Sequence, residues 1–166
     1  MKASPRVLSR WRMKWMLNLY PPLLFTRVRI KEFGEGFRTC RVVVGRSLLT
    51  RNLHGTTYGG AIFNGFDPIY PILYWQIFAR RGEALRMWLK AADIDYRKPA
   101  SSALTINFAV TDEDIERARA GMDENGKYVA VHEADAVDED GAVCVRGRMH
   151  VYMRRLSEGQ TAVSGF

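Results

Sequence analysis

The sequence predicts an α+β protein: a mostly antiparallel sheet packed around one long buried helix. Three observations lead there. From about Ala61 to Phe78 the apolar side chains show no preferred helical face, and a helix that is apolar all round must be buried. Strand-like runs flank it, two before and four after. A glycine pair, Gly59-Gly60, opens the helical segment, and a single carboxylate, Asp67, lies inside it.

At 166 residues the chain is one domain by length, with ordinary fractions of hydrophobic (47%) and charged (26%) residues. A formal charge of +7 favours anionic partners without choosing among nucleic acid, a membrane surface and a phosphate-bearing ligand. No aromatic–basic platform or known nucleic-acid module appears, so nucleic acid is not an expected partner. Cys40 and Cys144 are far apart and form no CxxC, which fits two buried free thiols in a reducing, cytoplasmic compartment. No signal peptide is expected, because Pro21-Pro22 breaks the first apolar stretch and no small-residue cleavage site follows. The run Tyr58 to Ala79 is long enough to span a bilayer, but two prolines, Asn64, Asp67 and Gln76 inside it favour a buried soluble helix.

In order, residues 4 to 20 read as a helix, with Ser4 as cap and Pro5 in the first turn. Val7, Leu8, Trp11, Trp15 and Leu19 share one face, and Lys2, Arg6, Arg10, Arg12 and Lys14 supply charge. One reading is a basic amphipathic helix in contact with a membrane surface through residues 1–20. The other, preferred because any globular helix shows such a face, packs the tryptophans on the domain. Thr26 to Phe33 and Phe37 to Val44 are strands separated by a Glu35-Gly36 turn, and Arg46 to Thr57 is a loop. Pro68 and Pro71 require a kink or break near Asn64 to Asp67. Leu85 to Tyr96 and Ser102 to Val110 are strands, and Thr111-x-x-Asp114 starts a helix to about Ala120. Tyr128 to Val137 and Ala142 to Met153 form a hairpin across Asp138-Glu139-Asp140-Gly141. This acidic run reads as a turn, since its spacing is not that of a calcium loop. The organisation is an N-terminal basic helix (1–24), one domain (25–156) and a flexible polar tail (157–166).

Asn52, then Tyr58-Gly59-Gly60 six positions on, then Asp67 fifteen after the Asn, resembles the pattern of PaaI-like hotdog thioesterases. The likeness is greater to an uncharacterised bacterial domain-of-unknown-function branch of that superfamily. Its members resemble Gly-Thr-x-Tyr-Gly-Gly, then Asp-Pro, Trp88-Leu89-Lys90-Ala91-Ala92, Lys98-Pro99 and the Val137 to Gly141 hairpin. The resemblance runs from about Phe25 to Arg155. It implies a hotdog fold, in which the sheet wraps the long helix and two protomers join their sheets, with active sites at the dimer interface. The implied substrates are acyl thioesters of coenzyme A or an acyl carrier protein, with no cofactor beyond the coenzyme A of the substrate.

Thioester hydrolysis needs an activated water or carboxylate nucleophile and donors for the carbonyl oxygen. By that resemblance the Gly59 N–H, with Gly60, meets the thioester carbonyl. Asp67 is general base or nucleophile, and Asn52 orients water or the carboxylate. Tyr58 stands where those enzymes usually carry His, and a phenol is a poor base near neutral pH. A non-catalytic acyl-thioester or fatty-acyl binding protein is therefore the alternative. Asp67 followed by Pro68 also reads as an ordinary helix cap. His54, Phe63, Phe66 and Lys90 are candidate substrate contacts, although Lys90 reads better as the partner of Asp93 or Asp95. Arg27-Arg29-Lys31 and Arg80-Arg81 could meet the nucleotide end of coenzyme A, but read better as solvated strand and helix ends. His132 and His150 read as ordinary strand histidines, away from metal-ligand spacing, and no metal is expected.

Overall fold

Two helices in line form the centre of the protein. A computed structural model describes residues 5–156. Helix α3 (Gly59–Phe66) and helix α4 (Ile69–Arg80) replace the single long helix, and the expected break falls at Asp67-Pro68. Prolines 68 and 71 fall where helical N–H groups have no partner anyway, so the break loses few bonds. Asp67 keeps helical backbone angles and donates its N–H to the Phe63 carbonyl at 3.0 Å. Ile62, Phe66, Ile69, Tyr70, Leu73, Tyr74, Ile77 and Phe78 are all buried. The cap reading of Asp67 fails, because Pro68 holds the cap position of α4 and no side chain caps it.

The sheet around these helices has six strands, each pairing antiparallel. They are β1 (Val28–Phe33), β2 (Thr39–Val44), β3 (Leu85–Tyr96), β4 (Leu104–Ala109), β5 (Lys127–Val137) and β6 (Val143–Arg155). Their spatial order is β1-β2-β4-β5-β6-β3, so β1 and β3 are the edges. A sheet wrapped around a central helix is the expected hotdog arrangement. Helix α3 comes closest to the sheet at Gly65, where a Cβ would sit 2.7 Å from Val44 Cγ2 and 3.1 Å from Ile106 Cδ1. Between β5 and β6, the Asp138 carboxylate accepts from the N–H groups of Asp140 (3.1 Å) and Ala142 (2.8 Å) and pairs with Lys98 at 2.8 Å. The acidic run is therefore a turn organised around Asp138. Cys40 and Cys144 are free and buried.

The edge β1 is covered by helix α1 (Arg10–Leu19), which a short helix, α2 (Pro21–Phe25), follows. The Asn18 amide pairs with Ile30 as a strand would, accepting from its N–H at 2.7 Å and donating to its carbonyl at 3.1 Å. A covered edge cannot recruit another strand. Helix α1 begins later than expected, with Ser9 as its cap; Ser4 lies outside the described residues, as does the tail 157–166. Its orientation also corrects the preferred reading. Leu8, Met13 and Leu17 are buried, whereas Trp11, Trp15 and Leu19 are exposed. The helix is apolar on two sides, and the pairing of Asn18 decides which side faces in. Buried Gln76 ties down the segment before the helix, accepting from Leu8 N–H at 2.9 Å and donating to the Arg6 carbonyl at 3.1 Å. Arg80 donates to the Leu8 carbonyl at 2.5 Å and lies 4.5 Å from the centre of the Phe37 ring. Arg81 pairs with Glu116. Both arginines thus have structural partners.

Helix α5 (Asp112–Asn125) starts in the Thr111–Asp114 capping box and ends at Gly126, whose φ of 69° suits glycine. It runs past Ala120 because Met122 continues the buried row of Ile115 and Ala118. Near it, His132 stacks on Tyr70 at 4.3 Å and shares a 2.9 Å hydrogen bond with the Tyr74 hydroxyl. Burial lowers the His132 pKa below 6.5; Asp114 opposes the shift and Arg117 adds to it.

Two outcomes follow from this packing. Gly65→Val should lower stability by about 1–3 kcal/mol through overpacking against β2 and β4, as read by urea unfolding. The unfolded chain protonates His132 more readily than the folded one. Stability from this group is therefore complete above about pH 6.5 and falls as pH drops toward the lower folded pKa. Unfolding free energies measured across that window should show the loss, and His132→Asn should remove the part due to this group.

Candidate active site

The loop from Gly45 to Tyr58 is held by its own polar side chains. Thr50 Oγ1 accepts from Ser47 N–H at 2.9 Å and donates to the Gly45 carbonyl at 3.2 Å. Asn52 Oδ1 accepts from the N–H groups of His54 (3.0 Å) and Thr56 (3.1 Å), and its Nδ2 donates to Thr56 Oγ1 at 2.8 Å. The Asn52 amide is largely spent on holding this turn. Gly55, at φ 78°, lets the chain reverse. Thr57 N–H then bonds the Ala100 carbonyl at 2.9 Å, and Tyr58 N–H bonds the Thr50 carbonyl at 2.6 Å. These two bonds tie the approach to α3 to the segment that follows β3 and to the loop itself.

At that start, Ala61 and Ile62 N–H groups both reach the Tyr58 carbonyl, at 3.0 and 3.3 Å. The N–H groups of Gly59 and Gly60 have no acceptor among the described residues. They lie at the positive end of the helix dipole. Each glycine faces a phenol. A Cβ on Gly59 would lie 3.0 Å from the Tyr96 hydroxyl, which donates to the Gly59 carbonyl at 2.9 Å. A Cβ on Gly60 would lie 2.4 Å from the Tyr58 ring, so a side chain there would displace that ring. Desolvation raises the Tyr96 pKa, and neighbouring Tyr58 adds to the shift.

A cleft of about 340 Å³ opens here, with Asn52, Thr57, Gly59, Ile62, Tyr96 and Lys98 in its wall. Thr57 is 5% exposed, and its hydroxyl is buried without a hydrogen-bond partner. An unsatisfied buried hydroxyl is costly, and a bound ligand or water would relieve it.

Two of the expected site residues, Asn52 and Gly59, lie in this wall; Gly60 and Tyr58 are adjacent in sequence. Asp67 is two helical turns further on, outside the wall, and exposed in the single protomer. Its carboxylate has no hydrogen bond or ion pair among the described residues, and partial desolvation raises its pKa. Phe63 is half-buried, while Phe66 is fully buried 6.2 Å from Phe108. His54 is exposed in the loop. Lys90 sits exposed at a bulge in β3 and has no ion pair among the described residues. The expected pairing of Lys90 is corrected, since Asp95 pairs with Arg97 and Asp93 with His150.

Thr57 and Tyr96 escaped the sequence reading. Thr57 precedes the Tyr-Gly-Gly motif directly, a signal that was available. Tyr96 reaches Gly59 across 37 positions, which no local pattern reveals. Thr57→Val should melt no lower than the parent, because it removes an unsatisfied hydroxyl, yet weaken ligand binding. Calorimetric melting beside a ligand titration checks both halves.

Several solved structures share this fold. A "Probable Thioesterase" of unknown function from Pseudomonas aeruginosa superposes with a TM-score of 0.80 at 18% identity, covering 92% of this chain and 99% of that one. A thioesterase from Haemophilus influenzae gives 0.68 at 12% identity, covering 94% and 98%. The PaaI protein of the E. coli phenylacetic acid degradation operon gives 0.60 at 17% identity, covering 89% and 93%. None of the curated proteins compared matches this chain in sequence. At these identities the likeness establishes the fold, which is that of the PaaI-like hotdog proteins. The sequence pattern of a domain of unknown function, DUF4442, matches residues 9–153, from the cap of α1 to near the end of strand β6, and the chain belongs to that family.

Proposed function

We propose that this protein is an acyl-thioester hydrolase acting on coenzyme A or acyl-carrier-protein thioesters. The observation that carries the reading is the pair of unpartnered N–H groups at Gly59 and Gly60, beside a cleft at the start of a buried helix. Such donors suit an oxygen that gains negative charge as the thioester carbonyl is attacked. Asp67 either takes a proton from the water that attacks the carbonyl carbon, or attacks that carbon itself to give a mixed anhydride that water then hydrolyses; in either case the C–S bond breaks and the thiolate leaves and is protonated. Partial desolvation makes this carboxylate more basic than a free aspartate. Asn52 positions the loop that presents the glycines. Phe63, half-buried on α3, offers the site an apolar surface and exposed His54 a polar one, whereas Phe66 is sealed in the core against Phe108 and Lys90 lies six residues along β3 from Tyr96. No cofactor enters beyond the coenzyme A of the substrate.

The position of Asp67 outside the cleft wall favours a site completed by a second protomer. The free edge of β3, twelve residues long, is the natural place for two sheets to join. Leu48, Leu49 and Leu53, exposed in the loop beside the cleft, are surfaces that pairing would cover. The assembly is a homodimer or a dimer of such dimers, working in the cytoplasm. No helix among the described residues is long and apolar enough to cross a membrane.

The other reading, a non-catalytic acyl-thioester or fatty-acyl binding protein, draws on Tyr58. This residue occupies the usual histidine position, with its ring over Gly60.

Free-thiol release from acyl-CoA substrates of graded chain length, measured for the parent and Asp67→Asn, separates the two. Hydrolysis predicts turnover that falls at least about a hundredfold in the variant. Retained ligand without turnover would favour the binder. The base must be ionised to act, so kcat/KM of the parent should fall as pH drops through the raised Asp67 pKa. That acid limb should vanish in Asp67→Asn, as a pH–rate profile would record.

A further inference from the structure

We propose that the outer face of α1 docks the protein on an anionic lipid bilayer. Val7, Trp11, Trp15 and Leu19, four residues apart, are 52%, 70%, 47% and 64% exposed. A step of four residues turns a helix by little more than one revolution, so the three helical members form one stripe. The stripe lies about half a turn away from Met13 and Leu17, which face the core. Trp11 and Trp15 meet edge to face at 6.5 Å, making a continuous aromatic surface. Tyr20, Leu24 and Phe25, next in the chain, are exposed as well.

This exposure is built in. The pairing of Asn18 with Ile30, together with Gln76 and Arg80 on the preceding segment, fixes which way α1 faces. Scattered exposed apolar residues need no explanation, but a row of them on an anchored helix does. Tryptophan suits the boundary between lipid headgroups and acyl chains.

The charges identify the occupant. Arg12 and Lys14 flank the stripe, and exposed Arg27, Arg29 and Lys31 follow shortly after. None of these five has an ion pair among the described residues, whereas Arg146, Arg148 and Arg155 on β6 all do. No acidic residue precedes Glu32 in the whole chain, and Glu32 is paired with Arg41. An apolar stripe bordered by uncompensated cations matches a surface that presents anionic headgroups over hydrocarbon.

This inference stands on α1 and its surroundings and is independent of hydrolysis. Its test is co-sedimentation of the full chain with vesicles of phosphatidylcholine alone or mixed with phosphatidylglycerol. Binding is expected to the mixed vesicles only, weakening as salt rises. The double variants Trp11→Ser/Trp15→Ser and Arg12→Gln/Lys14→Gln should each bind at least about tenfold more weakly while melting like the parent. Absence of binding to mixed vesicles at low salt would overturn the proposal, as would affinity unchanged in the tryptophan variant. If that variant instead lost oligomer mass by sedimentation equilibrium while the parent ignored vesicles, the stripe would be a contact between copies of the chain.

Discussion

Helices α3 and α4 present almost no polar face to water, so the rest of the protein is arranged to exclude water from them. The sheet curls around one side. Helix α1 and its leading segment close another, and the buried Gln76 amide satisfies that segment's backbone instead of leaving it unpaired. The fit is tight enough that Gly65 can carry no side chain without moving β2 or β4. The other elements are placed largely by the need to cover this pair.

The same constraint shapes the candidate site. The start of a helix needs partners for its first N–H groups, and here those of Gly59 and Gly60 meet no side-chain cap, with Gly59 in the cleft wall. Glycine suits both positions for a second reason, since a Cβ at either would press on the Tyr96 or Tyr58 ring and displace it. The Tyr96 hydroxyl binds the Gly59 carbonyl, which ties the helix start to the end of β3. The proline break then leaves Asp67 at the joint between helices, where its carboxylate is neither a cap nor part of an ion pair.

Much of the architecture was legible in the sequence because its signals are local. Alternation marks β4 from Leu104 to Ala109, the 138–141 turn divides β5 from β6, and two prolines place the break between α3 and α4. The rotation of α1 was not legible. Two apolar faces compete on that helix, and the choice between them depends on Asn18 meeting Ile30, a contact across the fold. The extent of α5 was missed because Met122 matters only once β5 and β6 lie beneath the helix. Within the site, the glycine motif could be read directly. The unsatisfied Thr57 hydroxyl and the role of Tyr96 arise only when loop, strand and helix come together.

Tyr58 in the usual histidine position bears on the chemistry less than it first suggests. The N–H groups of Gly59 and Gly60 remain unpartnered whatever side chain precedes them, so stabilisation of a developing oxyanion does not depend on a histidine. In the proposed hydrolysis the tyrosine gives no basic group near neutral pH, so proton transfer falls to Asp67. A free aspartate is a weak base, and desolvation shifts this one in the direction a base requires. The same shift removes the carboxylate form earlier as pH falls, so greater basicity comes with a narrower acidic range. The proposed choice between hydrolysing and holding a thioester thus rests on one carboxylate more than on the tyrosine that first distinguishes the motif.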